Sequence, residues 1–221
     1  MKLVLYGGGG EDENEDLDLA SIELSEKRSP KVTYIPACSY DSYRDFQAFA
    51  RQFSKYGVTR LMYFPVDIPY DEVLYREAFK ADIIHLSGGN TFYFLNTLRK
   101  KRLMRPLRTF AQKGGVLTGL SAGGIMMTPS IHTASFPSFD RDDNEENLSN
   151  WKALNLLKFE FFPHYRNSKR YEECLKKESS RRSTPIFACP DGHGIVVDDD
   201  SLQFCGRAFA FRQGTKITLS S

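Results

Sequence analysis

The chain has 221 residues, of which 41% are hydrophobic and 26% charged, and its net charge is +2. This length and composition predict a single folded domain over residues 1–221 with a sizeable core. The small net charge argues against a nucleic-acid partner, and no apolar run approaches the roughly 20 residues that span a bilayer. Four cysteines without a Cys-x-x-Cys pair, in a chain without an export signal, predict neither zinc nor disulfides. We therefore expect a cytoplasmic protein without a metal.

Short β-branched or aromatic runs alternate with helix-length segments through the first half of the chain. Five runs predict strands, over Lys2–Tyr6, Lys31–Pro36, Arg60–Phe64, Asp82–Ser87 and Gly115–Thr118. Helical patterns cover Asp41–Lys55 and Tyr70–Lys80, and a helical hairpin is predicted over Thr91–Arg108. Asn90 or Thr91 is a candidate N-cap of the last of these. Strands that alternate with helices predict an α/β fold whose mostly parallel sheet is covered on both faces.

Four glycines, Gly7 to Gly10, follow the first predicted strand and precede the acidic segment 11–16. A glycine-rich loop at this place invites comparison with a phosphate-binding loop. The glycines lack the Gly-x-Gly-x-x-Gly spacing, and the carboxylates that follow them would repel a phosphate. We therefore predict a flexible loop at the carboxyl end of the first strand.

Ser121 lies in the sequence Gly119-Leu120-Ser121-Ala122-Gly123, directly after the fifth predicted strand. This Gly-x-Ser-x-Gly pattern is typical of a nucleophile elbow, a sharp turn from a strand into a helix. The glycines leave room for the turn, which exposes the serine hydroxyl at a helix N-terminus. There the Ala122 amide can face a developing oxyanion. The alternative is a glycine-rich turn with an incidental serine.

The second half of the chain contains a polar, acidic segment, 139–150, which we predict to be a loop. Strands are predicted over Lys158–Phe162 and Pro185–Cys189, and a helix over Asn167–Lys177. Three further runs predict a C-terminal β-ribbon with a turn at 198–200, namely Gly194–Val197, Leu202–Cys205 and Lys216–Leu219.

A nucleophilic serine needs a base within hydrogen-bond reach and a third group that orients the base. Of the four histidines, His85 lies inside an apolar strand and His132 closely follows the elbow helix. His164 and His193 each directly follow a predicted strand. Catalytic residues of parallel sheets lie at the carboxyl ends of the strands, and His164 is the better candidate base. Asp191 is well placed to orient the imidazole, although aspartate before glycine is also ordinary turn chemistry.

A second glycine pair, Gly88-Gly89, ends the fourth predicted strand and leads into the helix that begins near Asn90. Paired glycines let backbone amides approach a ligand closely. Together with the Ala122 amide they could form a two-donor oxyanion hole. The alternative is an ordinary loop between a strand and a helix.

Four motifs stand in register along the chain: Ser-Gly-Gly-Asn-Thr-Phe at 87–92, Gly-Leu-Ser-Ala-Gly at 119–123, Pro-His-Tyr at 163–165 and Pro-Asp-Gly at 190–192. In this order and at these separations they resemble peptidase family S51, which contains dipeptidase E and the cyanophycinases. The resemblance implies a class I glutamine-amidotransferase-like (flavodoxin-like) fold, an α/β three-layer sandwich with a mostly parallel central sheet. It also implies a serine peptidase that cleaves short peptides and needs no cofactor.

Matched motif by motif, the resemblance implies Ser121 as the nucleophile, His164 as the general base, and Gly88 or Gly89 with Ala122 as the oxyanion donors. Dipeptidase E has a glutamate where this chain has Asp191, so Asp191 is the implied acid and Asp140 the alternative.

Asn90, Thr91 and Arg166 are candidate substrate-binding residues, and Arg166 could hold a substrate carboxylate. The acids of 140–146, if they line the cleft, would disfavour an aspartyl substrate. The expected partner is a small peptide, bound by a monomer or homodimer, with no nucleic acid and no membrane.

Three other functions compete with this interpretation. An α/β-hydrolase-type esterase would place its acid before the histidine, among 140–143, with His164 or His193 as the base. A glutamine amidotransferase would need cysteine at the elbow and a His-x-Glu pair, which the chain lacks. A non-catalytic binding protein on the same fold would not need an intact serine, histidine and acid.

Overall fold

The structure, a computed structural model, describes residues 1–40 and 42–219. Its strands are β1 Lys2–Tyr6, β2 Lys31–Ile35, β3 Arg60–Tyr63, β4 Ile83–Leu86, β5 Val116–Leu120, β6 Glu160–Phe162, β7 Ile186–Ala188, β8 Gly194–Asp198, β9 Ser201–Cys205, β10 Ala208–Arg212 and β11 Thr215–Leu219. Its α-helices are α1 Glu15–Leu24, α2 Ser42–Lys55, α3 Glu72–Ala78, α4 Thr91–Lys100, α5 Met104–Gln112, α6 Ala122–Met126 and α7 Lys169–Ser180. Short 3-10 turns cover Glu11–Glu13 and His132–Ser135.

Seven strands form the central sheet, in the order β3-β2-β4-β5-β1-β8-β9. The first five are parallel, whereas β8 runs antiparallel to β1 and β9 antiparallel to β8. The carboxyl ends of β1, β4 and β5 therefore meet at one edge of the sheet. The α/β fold with a mostly parallel central sheet, predicted from the sequence, is confirmed.

The inner strands of the central sheet are buried on both faces, as alternating side chains along β1 show. Leu3 and Leu5 belong to the large core cluster under α4 and α5, whereas Val4 and Tyr6 pack with Leu17 of α1 on the other face. Because successive side chains of a strand point to opposite faces, a strand between two helical layers must be apolar on both. This explains the continuous apolar runs of β1 and β4.

A smaller four-stranded sheet, in the order β11-β10-β7-β6, lies beside the central one. Its core contains Phe162, Tyr165, Phe209 and Phe211, against which Leu175 of α7 packs. This sheet corrects the predicted β-ribbon. β8 and β9 do form a hairpin, but an unpredicted strand, β10, intervenes and carries β11 into the smaller sheet instead.

Two further differences concern helices. Helix α1 was not predicted, because its buried positions are Leu17, Asp18 and Ser21 rather than an apolar stripe. The predicted helix Asp41–Lys55 is observed from Ser42, and Asp41 lies outside the described residues. The helical hairpin predicted over Thr91–Arg108 is confirmed as α4 and α5. No helix within residues 1–40 and 42–219 combines the length and the apolar character needed to cross a bilayer.

Candidate active site

Ser121 lies at the turn from β5 into α6, with φ 50° and ψ −109°. Its amide donates to the Tyr6 carbonyl at 3.1 Å, and its carbonyl accepts from the Ile125 amide at 3.0 Å. A Cβ at Gly119 would lie 2.3 Å from the carbonyl carbon of Gly123, so the crossing of strand and helix requires glycine there. A non-glycine residue with positive φ is strained and persists only where the surrounding structure holds it. Such conformations are common at functional sites.

A chain of two short hydrogen bonds connects Ser121 to His164 and Asp191. The Ser121 hydroxyl lies 2.8 Å from Nε2 of His164, and Nδ1 of His164 lies 2.7 Å from Oδ1 of Asp191. With the proton on Nδ1, the ring donates to the carboxylate and accepts from the hydroxyl, which satisfies both contacts. The side chains of His164 and Asp191 are about half exposed, at 48% and 52%.

Backbone hydrogen bonds fix both the histidine and the acid. His164 follows β6 with φ 54°, and its amide donates to the Gly7 carbonyl at 2.6 Å. Asp191 lies in the turn between β7 and β8, where the Gly192 amide donates to the Gly8 carbonyl at 3.1 Å. The loop after β1 therefore holds the two segments that carry the imidazole and the carboxylate.

Gly8 is a residue of this site that the sequence reasoning missed. A Cβ at this position would lie 2.1 Å from Oδ1 of Asp191 and 2.4 Å from Nδ1 of His164. The segment 7–10 forms a loop at the carboxyl end of β1, as predicted, and the hydrogen bonds of Gly7 and Gly8 connect it to both neighbouring segments. The signal was present in the run of glycines, since glycine also marks close approach of the backbone to other groups.

The candidate oxyanion donors lie beside the serine. Ala122 is the first residue of α6, and the first amides of a helix have no intrahelical acceptor. Gly88 also adjoins the serine, since a Cβ built on it would lie 3.7 Å from Cβ of Ser121. Gly89 follows with φ 142° and lines the same pocket as Ser121.

A pocket of about 400 Å³ opens beside Ser121, His164 and Asp191. Thr91 and Arg166, two of the predicted substrate-binding residues, line it. Phe136 and Phe162 supply an apolar part of the wall. The described lining residues therefore give the pocket a polar wall and an apolar wall next to the serine hydroxyl.

Asn90 lies outside the lining of this pocket as the described residues form it. Its Oδ1 accepts from the Tyr93 amide at 2.9 Å, which is an N-cap of α4, and its Nδ2 donates to the Asp143 carbonyl at 2.9 Å. The predicted N-cap is thus observed at Asn90, and its side chain holds the acidic loop rather than facing the serine.

Two acids of the segment 139–150 also line the pocket, and each has a protein donor. Asp140 accepts from the Tyr171 hydroxyl at 2.5 Å. Asp142 accepts from the Thr91 amide at 2.7 Å. Burial and the Asp140 contact raise the pKa of Tyr171 to about 12, so the phenol remains a donor at neutral pH. The structure therefore places Asp191, and neither of these two acids, against the imidazole of His164.

The other three histidines contact groups other than the serine. His85 is buried with Nδ1 2.8 Å from the Thr118 hydroxyl, and burial lowers its pKa to about 3. Burial also lowers the pKa of His132, which lies 3.8 Å from Glu178. His193 accepts from the Arg207 amide at 3.3 Å.

In the described part of the chain, no group of three or more histidine, cysteine, aspartate or glutamate side chains is arranged to hold a metal ion. The four cysteines are free thiols, and burial raises the pKa of Cys189 well above its ordinary value.

The chain is similar to known peptidases in sequence and in fold. The profile of peptidase family S51 matches residues 3–205. An uncharacterized peptidase of Bacillus subtilis (strain 168), YgaJ, is 28% identical over 210 residues, covering 91% of this chain and 85% of that protein. An uncharacterized peptidase of Listeria monocytogenes is 35% identical over 89 residues, and the match spans only 42% of its length.

A solved structure of a peptidase from an acI-B1 Actinobacterium shares the fold, with a TM-score of 0.74 at 17% identity, covering 100% of this chain and 94% of that one. The profile match extends over nearly the whole chain and includes all four motifs. The chain therefore belongs to peptidase family S51.

Proposed function

We propose that this protein is a serine peptidase, dipeptidase E-like in cleaving short peptides, that works through an acyl-enzyme in one domain formed by the whole chain. The observation that carries the proposal is the continuous hydrogen-bonded series from the Ser121 hydroxyl through His164 to Asp191, at 2.8 and 2.7 Å. These are the separations that proton transfer between a nucleophile and its base requires.

In the first step, Ser121 Oγ attacks the scissile carbonyl carbon while Nε2 of His164 takes the hydroxyl proton. The carboxylate of Asp191 accepts from Nδ1, which keeps the proton on that nitrogen and stabilises the imidazolium. The negative charge on the carbonyl oxygen is stabilised by the amide of Ala122 and an amide of the Gly88-Gly89 pair.

The tetrahedral intermediate then collapses. The bond between the carbonyl carbon and the amide nitrogen breaks, and His164 gives its proton to the leaving amine. Water, deprotonated by the same imidazole, then attacks the carbonyl carbon of the acyl-enzyme. The ester bond to Ser121 Oγ breaks, His164 returns the proton to Oγ, and the acid product leaves. The acyl part of the substrate occupies the pocket lined by Thr91, Phe136 and Arg166.

The acids of this pocket bear on which peptides are cleaved. Asp140 and Asp142 line it, and Arg166 is the one lysine or arginine among its described lining residues. An acidic side chain on the acyl residue would meet two carboxyl groups there. We therefore expect neutral acyl residues to be preferred over aspartate, with the substrate ammonium group near the acids.

The test combines labelling with hydrolysis. A fluorophosphonate probe should label the wild-type protein and leave Ser121→Ala unlabelled, and the wild type should hydrolyse members of a dipeptide library. Hydrolysis of simple esters with no peptide cleaved would favour the esterase alternative, and absence of labelling would favour the non-catalytic one.

A further inference from the structure

Ser87 is the first residue of the Ser-Gly-Gly-Asn-Thr-Phe motif, and it has no part in the catalytic steps described above. It follows β4 at the carboxyl edge of the central sheet, where its amide donates to the Ile35 carbonyl of β2 at 3.0 Å. The residue is 4% exposed and lies outside the described lining of the pocket beside Ser121. Any effect of its hydroxyl on catalysis must therefore pass through neighbouring groups.

The Ser87 hydroxyl makes two hydrogen bonds, both to the backbone. It accepts from the Ala37 amide at 2.8 Å and donates to the Gly88 carbonyl at 2.9 Å. A hydroxyl has one proton to donate, and this one is used on Gly88. Ala37 is buried and follows β2, so the serine ties the glycine loop to the end of the neighbouring strand.

The Gly88 carbonyl and the Gly89 amide belong to the same peptide unit. This peptide is trans, so its N–H points in the direction opposite to its carbonyl. The hydrogen bond from Ser87 therefore also fixes the direction of the Gly89 N–H.

The surroundings of the two glycines favour the Gly89 amide as an oxyanion donor. Within residues 1–40 and 42–219, neither glycine amide has a protein acceptor. Gly89 lines the pocket that contains Ser121 and His164, whereas Gly88 lines a different cavity. A free amide on a peptide that is held in place beside the nucleophile is what an oxyanion hole requires.

We propose that Ser87 is a positioning residue whose hydroxyl holds the peptide between Gly88 and Gly89. The Gly89 amide, oriented in this way, donates to the oxyanion together with the Ala122 amide. The inference rests on the proposed function, because it assigns the second donor of that oxyanion hole. Hydrogen bonds in series polarise one another, so the bond from Ser87 to the carbonyl also makes the N–H of the same peptide a stronger donor.

The first experiment compares the kinetics of Ser87→Ala and Ser179→Ala on alanyl-alanine. Ser179 of α7 is the matched control, because it is buried and its hydroxyl also accepts from a backbone amide, that of Gly214, and donates to a backbone carbonyl, that of Lys176. Loss of an oxyanion donor costs about 10² to 10³ in kcat. Ser87→Ala keeps the donor but frees its peptide, so we expect kcat to fall about tenfold to 10²-fold with KM within about threefold of wild type.

Ser179→Ala should keep kcat within about threefold of wild type, since it loses the same two kinds of hydrogen bond away from the nucleophile. An equal loss of kcat in the two variants would overturn the positioning role. So would a Ser87→Ala effect that is confined to KM.

The second experiment separates stability from oxyanion binding, because Ser87→Ala also leaves the buried Ala37 amide without its acceptor. In an alanyl trifluoromethyl ketone, Ser121 Oγ bonds to the ketone carbon, the hydroxyl proton passes to His164, and the former carbonyl oxygen carries the negative charge. A reduced-amide isostere of alanyl-alanine has no such oxygen. In Ser87→Ala we expect the dissociation constant of the ketone to rise about tenfold and that of the isostere to change less than about twofold.

Calorimetry measures both constants without turnover. A ketone constant that is the same in wild type and Ser87→Ala, or an equal rise of both constants, would refute the positioning role and leave the serine mechanism in place. If the ketone forms no adduct with the wild-type protein, the proposed function fails and the positioning role fails with it.

The third experiment distinguishes the two glycines. A semisynthetic protein with glycolic acid in place of Gly89 has an ester oxygen where that amide was, and glycolic acid in place of Gly88 makes the same change one residue earlier. We expect kcat to fall by about 10² to 10³ in the first protein and to stay within about threefold of wild type in the second. The reverse order would give the donor to Gly88 and overturn the assignment.

Discussion

Replacing Gly8 by alanine should disable the site without unfolding the protein. The new Cβ would lie 2.1 Å from Oδ1 of Asp191, whereas ordinary van der Waals contact begins near 3.4 Å. The carboxylate or the loop must therefore move by about 1.3 Å. Asp191 and His164 are 2.7 Å apart, and a shift of that size would separate them beyond hydrogen-bond distance. A 1 Å misplacement costs about 10²-fold and loss of the orienting acid about 10⁴-fold, so we expect kcat to fall by about 10² to 10⁴.

Gly10→Ala is the matched control. A Cβ there would meet only Glu13 Oε2, at 3.9 Å, so activity should stay within about threefold of wild type. Steady-state hydrolysis of a cleaved dipeptide, with thermal melting to confirm folding, measures both variants. A folded Gly8→Ala protein with near wild-type kcat would refute the claim that this glycine makes room for the imidazole and the carboxylate.

Three substitutions test the catalytic roles directly, and two further variants, at His193 and Asp140, serve as comparisons. Ser121→Ala should lower hydrolysis about 10⁴-fold or more with little effect on melting, and residual turnover in a contaminant-free sample would count against the nucleophile. His164→Ala should lower the rate of hydrolysis by a similar factor, and this loss should not add to that of Ser121→Ala. His193→Ala should lower the rate far less. If His193→Ala were the more damaging of the two, the base would be reassigned. Asp191→Asn should lower kcat strongly, because an amide favours the wrong tautomer of His164. Asp140→Asn should act mainly on KM. A stronger effect of Asp140→Asn on kcat would favour the esterase alternative, in which the acid precedes the histidine in the chain.

The sequence predicted those parts of the fold that depend on local pattern. The strands of the central sheet up to β5 were recognised because β-branched or aromatic runs alternate with helix-length segments in that part of the chain. The elbow at Ser121 was recognised because a tight turn restricts residue type at Gly119 and Gly123. These constraints act within a few residues and are visible in the chain.

What the sequence did not reveal depends on segments that are distant along the chain. The contact of Gly8 with Asp191 joins positions more than 180 residues apart. The run Gly7–Gly10 indicates a close approach of the backbone, but it does not show which segment is approached. Helix α1 escaped notice because Asp18, which is buried, accepts from the Tyr6 hydroxyl rather than facing water. Strand β10 was missed although it forms a hairpin with β11, and its other neighbour in space is β7, not β9.

The nucleophile and the base are attached to different sheets. Ser121 extends from β5 of the central sheet, His164 from β6 of the smaller one, and Asp191 lies in the connection from β7 to β8. A sliding motion between the sheets would stretch the serine–histidine contact first, since β6 and β7 are hydrogen-bonded neighbours and carry the histidine and the acid together. Gly7 opposes that motion, because its carbonyl accepts from the His164 amide and its amide donates to the His193 carbonyl. One residue thus ties the smaller sheet to the central one, and the distance between the nucleophile and its base depends on how the two sheets are joined.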